Sequence, residues 1–295
     1  MITEALLHCP GIGPARFDKL RSLGLRTWYD ILERPDRVPA AWQEALVGEC
    51  QRCVDALDTS NIDYFVKYLA PSDRWRILDR YLEQTSFFDI ETAGLEYDDP
   101  ITVVACWHRG RLHTFVENQN LDDLLDLLDD VTLLASFNGG SFDVPRVLTA
   151  FHIPELPCPH LDLRWLCYHH GFRGGLKEIK SRLGIARPPD LADADGALAV
   201  RLWARWEHFD ERGARDLLIR YCASDVLLLL TLSDCILKRS QPTVEDLWSY
   251  LPSAEREGAT ASPTTAPRGP GVAPEGAFGA ASPSRMRALR SRLVG

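Results

Sequence analysis

Residues 86–95 read SFFDIETAGL. The run Ser86-Phe87-Phe88-Asp89-Ile90 has the aromatic and branched character of a buried strand, yet Asp89 and Glu91 interrupt it. A carboxylate taken out of water is costly unless its charge is answered. Side chains at i and i+2 leave a strand on the same face, so the two acids also repel each other. Such a placement calls for a compensating positive charge.

Outward from this stretch the pattern is mixed α/β. Residues 101–108 (ITVVACWH) and 111–116 (RLHTFV) are the next two strand candidates, with a hairpin at His108-Arg109-Gly110-Arg111. Residues 121–130 (LDDLLDLLDD) form an amphipathic helix whose five Asp make a solvated outer face. A fourth strand follows at 132–137 (TLLASF), a helix at 143–151 (DVPRVLTAF) and a short fifth strand at 159–163 (PHLDL), and the rest to 240 is mainly helical. Three meandering strands followed by strand–helix alternation predict a mixed sheet flanked by helices.

Four regions are expected. Residues 1–57 read as a small all-α module. In LLHCPGIGPARFDKLRSLGL, a helix leads into a Pro10-Gly11-Ile12-Gly13 hairpin, and a second helix starts with Pro14 at N1 and ends near Gly24. Residues 58–85 form a helical connector, 86–240 the α/β domain, and 241–295 a tail. Beyond about residue 252 the composition collapses to Pro, Ala, Gly, Ser and Thr, too poor in apolar groups to offset the entropy of ordering. The tail is therefore expected to be mostly disordered, with an Arg-rich end (SRMRALRSRLVG) available to a protein partner or simply solubilising.

The composition, 45% hydrophobic and 25% charged, is that of a globular chain. The first residues lack a basic segment before an apolar core, and the longest apolar run, near 226–232, is far short of the ~20 residues a membrane helix needs. A cytoplasmic protein without membrane contact is the expectation. The net charge of −9 argues against broad attraction to nucleic acid, but leaves room for acids that hold metal ions. The eight cysteines are dispersed in apolar stretches. Cys50-x-x-Cys53 stands without a second pair or a neighbouring histidine pair, so a zinc site would lack half its ligands and the two read as a helix face.

Asp89 and Glu91 gain company further on. Asp143 stands where a strand gives way to a helix, after the turn Asn138-Gly139-Gly140. Tyr221 and Asp225 lie four apart and share a face of a Leu-rich helix. Four converging carboxylates call for divalent cations, and hard Mg²⁺ or Mn²⁺ prefers oxygen ligands. Two such ions can stabilise the attacking and leaving oxygens of a phosphodiester.

The ordered set Asp-Ile-Glu-Thr-x-Gly-Leu, Asn-x-x-x-Phe-Asp and Tyr-x-x-x-Asp resembles the three motifs of the DEDD (DnaQ-like, ribonuclease-H-fold) 3′→5′ exonucleases. The stretches GGLKEIKSRLGIARPPD and DGALAVRLWARW are similar to the YprB-like branch. The resemblance covers about residues 86–238. It implies a ribonuclease-H-like sheet and two Mg²⁺ or Mn²⁺ ions. Asp89, Glu91 and Asp225 would hold the catalytic ion, with Asp89 bridging to a second held by Asp143. Tyr221 would position the attacking water, and Leu95 would wedge against the terminal base. Position 220 is Arg where the histidine subtype needs His, so the tyrosine subtype is implied. Ala93 replaces the more usual second Thr without touching a ligand. Asp162 matches a recurrent family position, with a supporting role and a metal contact both open.

For holding substrate, Pro10-Gly11-Ile12-Gly13 resembles a helix-hairpin-helix motif. Gly11 and Gly13 permit close backbone approach, the free N–H groups of a helix start favour phosphate, and Arg16 and Lys19 add positive charge. A second basic stretch, 172–187, carries Lys177 and Lys180 outward from a buried stripe. The expected function is a metal-dependent 3′→5′ exonuclease on a single-stranded nucleic-acid 3′ end, with DNA favoured over RNA by the hairpin module. Alternatives are a noncatalytic binder of such ends and a repair-complex scaffold.

Overall fold

The computed structural model describes residues 1–94, 96 and 98–253. Its centre is a five-stranded sheet: β1 (Thr85–Thr92), β2 (Ile101–His108), β3 (Arg111–Val116), β4 (Leu133–Ser136) and β5 (His160–Asp162), in the order β3-β2-β1-β4-β5. Strands β1 to β3 form an antiparallel meander, and β4 and β5 add in parallel on the other side of β1. The β2–β3 hairpin turns on Arg109 (φ 48°) and Gly110 (φ 75°), and two central residues at positive φ are what a two-residue hairpin needs to match strand twist.

The described residues contain twelve α-helices. In the N-terminal region these are α1 (Pro14–Ser22), α2 (Trp28–Glu33), α3 (Ala40–Asp58), α4 (Ile62–Tyr68) and α5 (Trp75–Tyr81). Those of the sheet domain are α6 (Leu124–Leu128), α7 (Asp143–Phe151), α8 (Leu163–His169), α9 (Leu176–Arg182), α10 (Gly196–Phe209), α11 (Arg212–Leu237) and α12 (Val244–Trp248). The alternation of β1 sorts its side chains between two cores. Phe88 and Ile90 pack with Val104, Cys106, Leu134 and Val147 on one face, whereas Phe87 joins Val103, Ala105 and the apolar side of α11 on the other. Asp89 and Glu91 share the parity of Phe87, so both project toward α11. Helix α11 is buried on nearly every side from Tyr221 to Leu229, which makes it the central helix of the domain. The five Asp between 122 and 130 are all exposed, while Leu124 and Leu128 are buried.

The N-terminal region differs from expectation in one element. The stretch before the Pro-Gly-Ile-Gly turn is a single 3₁₀ turn, Ile2–Glu4, not an α-helix. Ala5 is extended, and its carbonyl accepts from Trp28 Nε1 at 2.6 Å instead of continuing a helix. Cys9 precedes Pro10, which disfavours helical backbone at that residue. Beyond the turn, α1 begins at Pro14 as expected, with Gly11 at φ +76°. At the other end the fold extends past residue 241: Leu247 and Leu251 are buried, and Trp248 Nε1 donates to the Ala186 carbonyl at 2.9 Å. The Pro/Ala-rich tail and its Arg-rich end fall on 254–295, outside the described residues. No helix among the described residues is long and apolar enough to cross a membrane.

Candidate active site

Three elements bring the carboxylates to one place. Strand β1 supplies Asp89 and Glu91, next to a register shift between Glu91 and Thr92 that bends its end. Helix α7 supplies Asp143 from its first position, and α11 supplies Asp225 together with Tyr221 one turn earlier. Asp143 Oδ1 accepts from the Ile90 backbone N–H at 3.2 Å, which ties the start of α7 to β1 between the two strand acids. Asp143 and Asp225 are buried at 3% and 7% exposure, while Asp89 and Glu91 retain partial access.

The electrostatics follow from this crowding. Burial raises Asp89 well above the ordinary carboxylate range, reinforced by Asp143, Asp225 and Glu91. Glu91 is raised well above its range by burial, then by Asp225 and Asp143. Asp143 is pushed up to about 7, chiefly by burial. Asp225 is raised by burial, while the Arg187 guanidinium pulls it back.

Sequence reasoning placed Arg187 in an outward basic stretch. Instead its side chain is 7% exposed, donates from Nη2 to Asp225 Oδ1 and lies over the Tyr221 ring with its centre 4.7 Å from the centroid. Nη1 also reaches the Ala194 carbonyl at 3.3 Å. The reason is local: α9 stops at Arg182, and Gly184 at φ +69° reverses the chain, so the helical periodicity that points Lys177 outward no longer governs residue 187. Lys177 is exposed; Lys180 is partly exposed and close enough for Asp225 to act on its ammonium.

Burial, then Asp225 and Glu91, raise the Tyr221 phenol, so Tyr221 keeps its proton at neutral pH and faces the acids as a donor. A second residue missed in the sequence is Cys222. It reads as a small hydrophobe in an apolar helix, but its Sγ donates to the Asp89 carbonyl at 3.4 Å and lies 3.8 Å from Asp89 Oδ2. Burial and the adjacent Asp89 raise the thiol far above its usual range, so it remains protonated.

Asp162 is explained by its partners. Its Oδ1 accepts from the N–H groups of Asn138 (2.8 Å) and Arg164 (3.0 Å), and its Oδ2 from Gly140 (3.2 Å). The carboxylate clamps the turn that delivers Asp143. A Cβ on Gly139 would collide with the Ser136 hydroxyl, so this turn requires glycine there. In the N-terminal hairpin, Gly11, Gly13 and Lys19 are exposed, and Arg16 donates to the Gly11 carbonyl at 2.9 Å and stacks on Trp42 at 4.8 Å. Leu95 lies outside the described residues.

The donor set fits divalent cations. Asp89, Glu91, Asp143 and Asp225 offer only hard carboxylate oxygens, and Asp143 and Asp225 add their charge to that of Asp89 and Glu91. Asp89 and Glu91 each present an oxygen that, with the Cys222 sulfur, falls within a 4.8 Å span.

No curated protein matches the chain. Among solved structures, the chain is similar to the family B DNA polymerase from the hyperthermophilic archaeon Pyrobaculum calidifontis, at 17% identity and a TM-score of 0.38. That match covers 52% of this chain and 24% of the polymerase. The family model described as the RNase_H superfamily matches residues 86–237, the stretch that contains β1 to β5, all four acids and Tyr221. The chain belongs to the ribonuclease H superfamily.

Proposed function

We propose that this protein is a metal-dependent 3′→5′ exonuclease of the tyrosine-type DEDD class. It would hydrolyse the terminal phosphodiester of a single-stranded nucleic acid, preferentially DNA, and release nucleoside monophosphates. The observation that carries this reading is the convergence of four carboxylates, all raised by burial, with Asp89 and Glu91 raised further by the charges of their neighbours.

Asp89, Glu91, Asp143 and Asp225 would hold two Mg²⁺ or Mn²⁺ ions. Such ions, when bound, supply charge neutralisation and Lewis acidity at the scissile phosphate. The chain's own contribution is placement. Tyr221, protonated and flanked by Asp225, donates its hydroxyl hydrogen to orient the attacking water. Arg187 holds Asp225 and stacks on Tyr221, fixing both side chains of α11 relative to each other. Asp162 and Gly139 hold the turn that sets Asp143. Lys180, beside Asp225, is suited to a backbone phosphate of the incoming strand, and the hairpin at Gly11 to Lys19 would hold nucleic acid farther from the scissile bond.

The test is digestion of an oligonucleotide labelled at its 5′ end, with Mg²⁺ or Mn²⁺, by wild type and Asp89→Ala. A ladder shortening from the 3′ end in wild type and none in the variant is expected. Binding without shortening, or identical digestion by both, would make the protein an end-binder or the activity a contaminant.

A further inference from the structure

The outer side of α8 carries aromatic rings that the core does not bury. Leu163, Leu166 and Cys167 face inward, whereas Trp165 and Tyr168 stand 54% and 49% exposed. Positions i and i+3 are neighbours on a helix surface, and the two rings meet edge to face at 6.4 Å between centroids. Trp165 is the one exposed tryptophan of the chain's eight. The Arg173 guanidinium lies over the Tyr168 ring, 5.0 Å from its centroid. Indole and phenol rings left in water beside a cation are what nucleobases stack on.

This face is joined to the carboxylate site at both ends. At its start, Asp162 caps α8 and clamps the Asn138–Gly140 turn that delivers Asp143, and Arg164 donates from Nη1 to Asn138 Oδ1. Past its end, Arg173 leads into α9, where Lys177 and Lys180 lie one turn apart and Lys180 is close enough to Asp225 to feel its charge. The charge is complementary to a phosphate backbone. Residues 163–182 carry Arg164, Arg173, Lys177, Lys180 and Arg182 against one acid, in a chain of net charge −9. That acid, Glu178, accepts from the Gly175 backbone N–H at 3.1 Å.

We propose that the Trp165–Tyr168 face of α8 is a stacking platform for the unpaired strand upstream of its 3′ end, with Arg173, Lys177 and Lys180 tracking the phosphates toward the carboxylates. The proposal rests on the exonuclease reading for where the strand leads, and on the α8 surface alone for its binding. Every base offers a π face, so stacking here tolerates any sequence. In a duplex those faces are covered by neighbouring bases, so the platform selects single strands.

The test is fluorescence anisotropy of a fluorescein-labelled oligothymidylate with the full chain in EDTA, where no metal supports cleavage. Trp165→Ala and Tyr168→Ala should each raise Kd about tenfold, and Trp165→Phe, which keeps a ring, should recover most of the loss. Inorganic polyphosphate supplies the charge without the bases. Lys177→Ala should weaken both ligands, whereas Trp165→Ala should weaken only the oligothymidylate. Both rings are exposed, so the variants should fold; should one alanine variant not, the other decides. Wild type that binds no oligothymidylate, alanine variants that bind it as wild type does, or an equal loss of polyphosphate would each overturn the platform. Added Mn²⁺ separates the two readings. Shortening by wild type with Kd unmoved in the variants removes only the platform, and ring-dependent binding without shortening removes only the exonuclease.

Discussion

The guanidinium of Arg187 is paired with the carboxylate of Asp225 and lies over the ring of Tyr221, four residues earlier on α11, with its centre 4.7 Å from the ring centroid. One cation thereby fixes two side chains of the site. Removing one partner of a buried pair leaves the other charge unanswered, which costs about 3 kcal/mol. Arg187→Met should therefore lower the unfolding free energy by roughly that amount in EDTA, and Mn²⁺ should recover most of it. Denaturant titrations with and without Mn²⁺ measure both; an unchanged stability in EDTA would show that Asp225 does not depend on Arg187.

Tyr221 is held protonated by burial and by Asp225, so it acts through its hydroxyl as a donor. Tyr221→Phe keeps the ring under Arg187 and removes only that hydroxyl. A fall in kcat on the order of 10²-fold is expected from loss of water orientation, with KM and Mn²⁺ affinity little changed. Steady-state kinetics on a single-stranded oligonucleotide decide it, and a kcat equal to wild type would remove Tyr221 from the chemistry.

Asp143, pushed up to about 7, makes the metal-free protein sensitive to pH in an unusual direction. Its ordinary value in the unfolded chain is 3.8, so between roughly pH 4 and pH 7 the folded state binds the extra proton. Its contribution to stability is therefore fully present at low pH and is lost as pH rises through about 7. In EDTA, Asp143→Asn should melt higher than wild type at pH 8 by roughly 5 °C, and the difference should shrink toward pH 5. Thermal melts across that range would contradict the assignment if the two curves ran parallel.

The strand and helix order was legible because the apolar runs of β1 and β2 and the acids breaking β1 are local signals. Asp89, Glu91, Asp143, Tyr221 and Asp225 stand out through their placement on the expected elements together with the resemblance to the three exonuclease motifs. Arg187 could not, because its inward direction depends on the turn at Gly184, and helical periodicity stops at Arg182. Cys222 was hidden by its apolar surroundings. The expected first helix of the hairpin module was lost to Trp28, whose indole takes the Ala5 carbonyl.

Asp162 engages three backbone N–H groups, two in the Asn138–Gly140 turn and that of Arg164 at the start of α8. Asp162→Ala should leave those groups unpaired and cost roughly 2 kcal/mol of stability, while loosening Asp143 enough to lower activity more than tenfold. Asp162→Asn, which keeps two acceptor lone pairs, should retain an intermediate activity. Full activity in Asp162→Ala, measured on the same oligonucleotide, would show that the turn holds without its clamp.

The central claim is that the acids of β1, α7 and α11 are assembled to chelate divalent ions. Crystals soaked in Mn²⁺ and measured at the manganese absorption edge test it directly. Two anomalous peaks are expected, bounded by Asp89, Glu91, Asp143 and Asp225, and both should vanish in Asp89→Asn/Asp225→Asn. Saturating Mn²⁺ with no peak among these four side chains would contradict it.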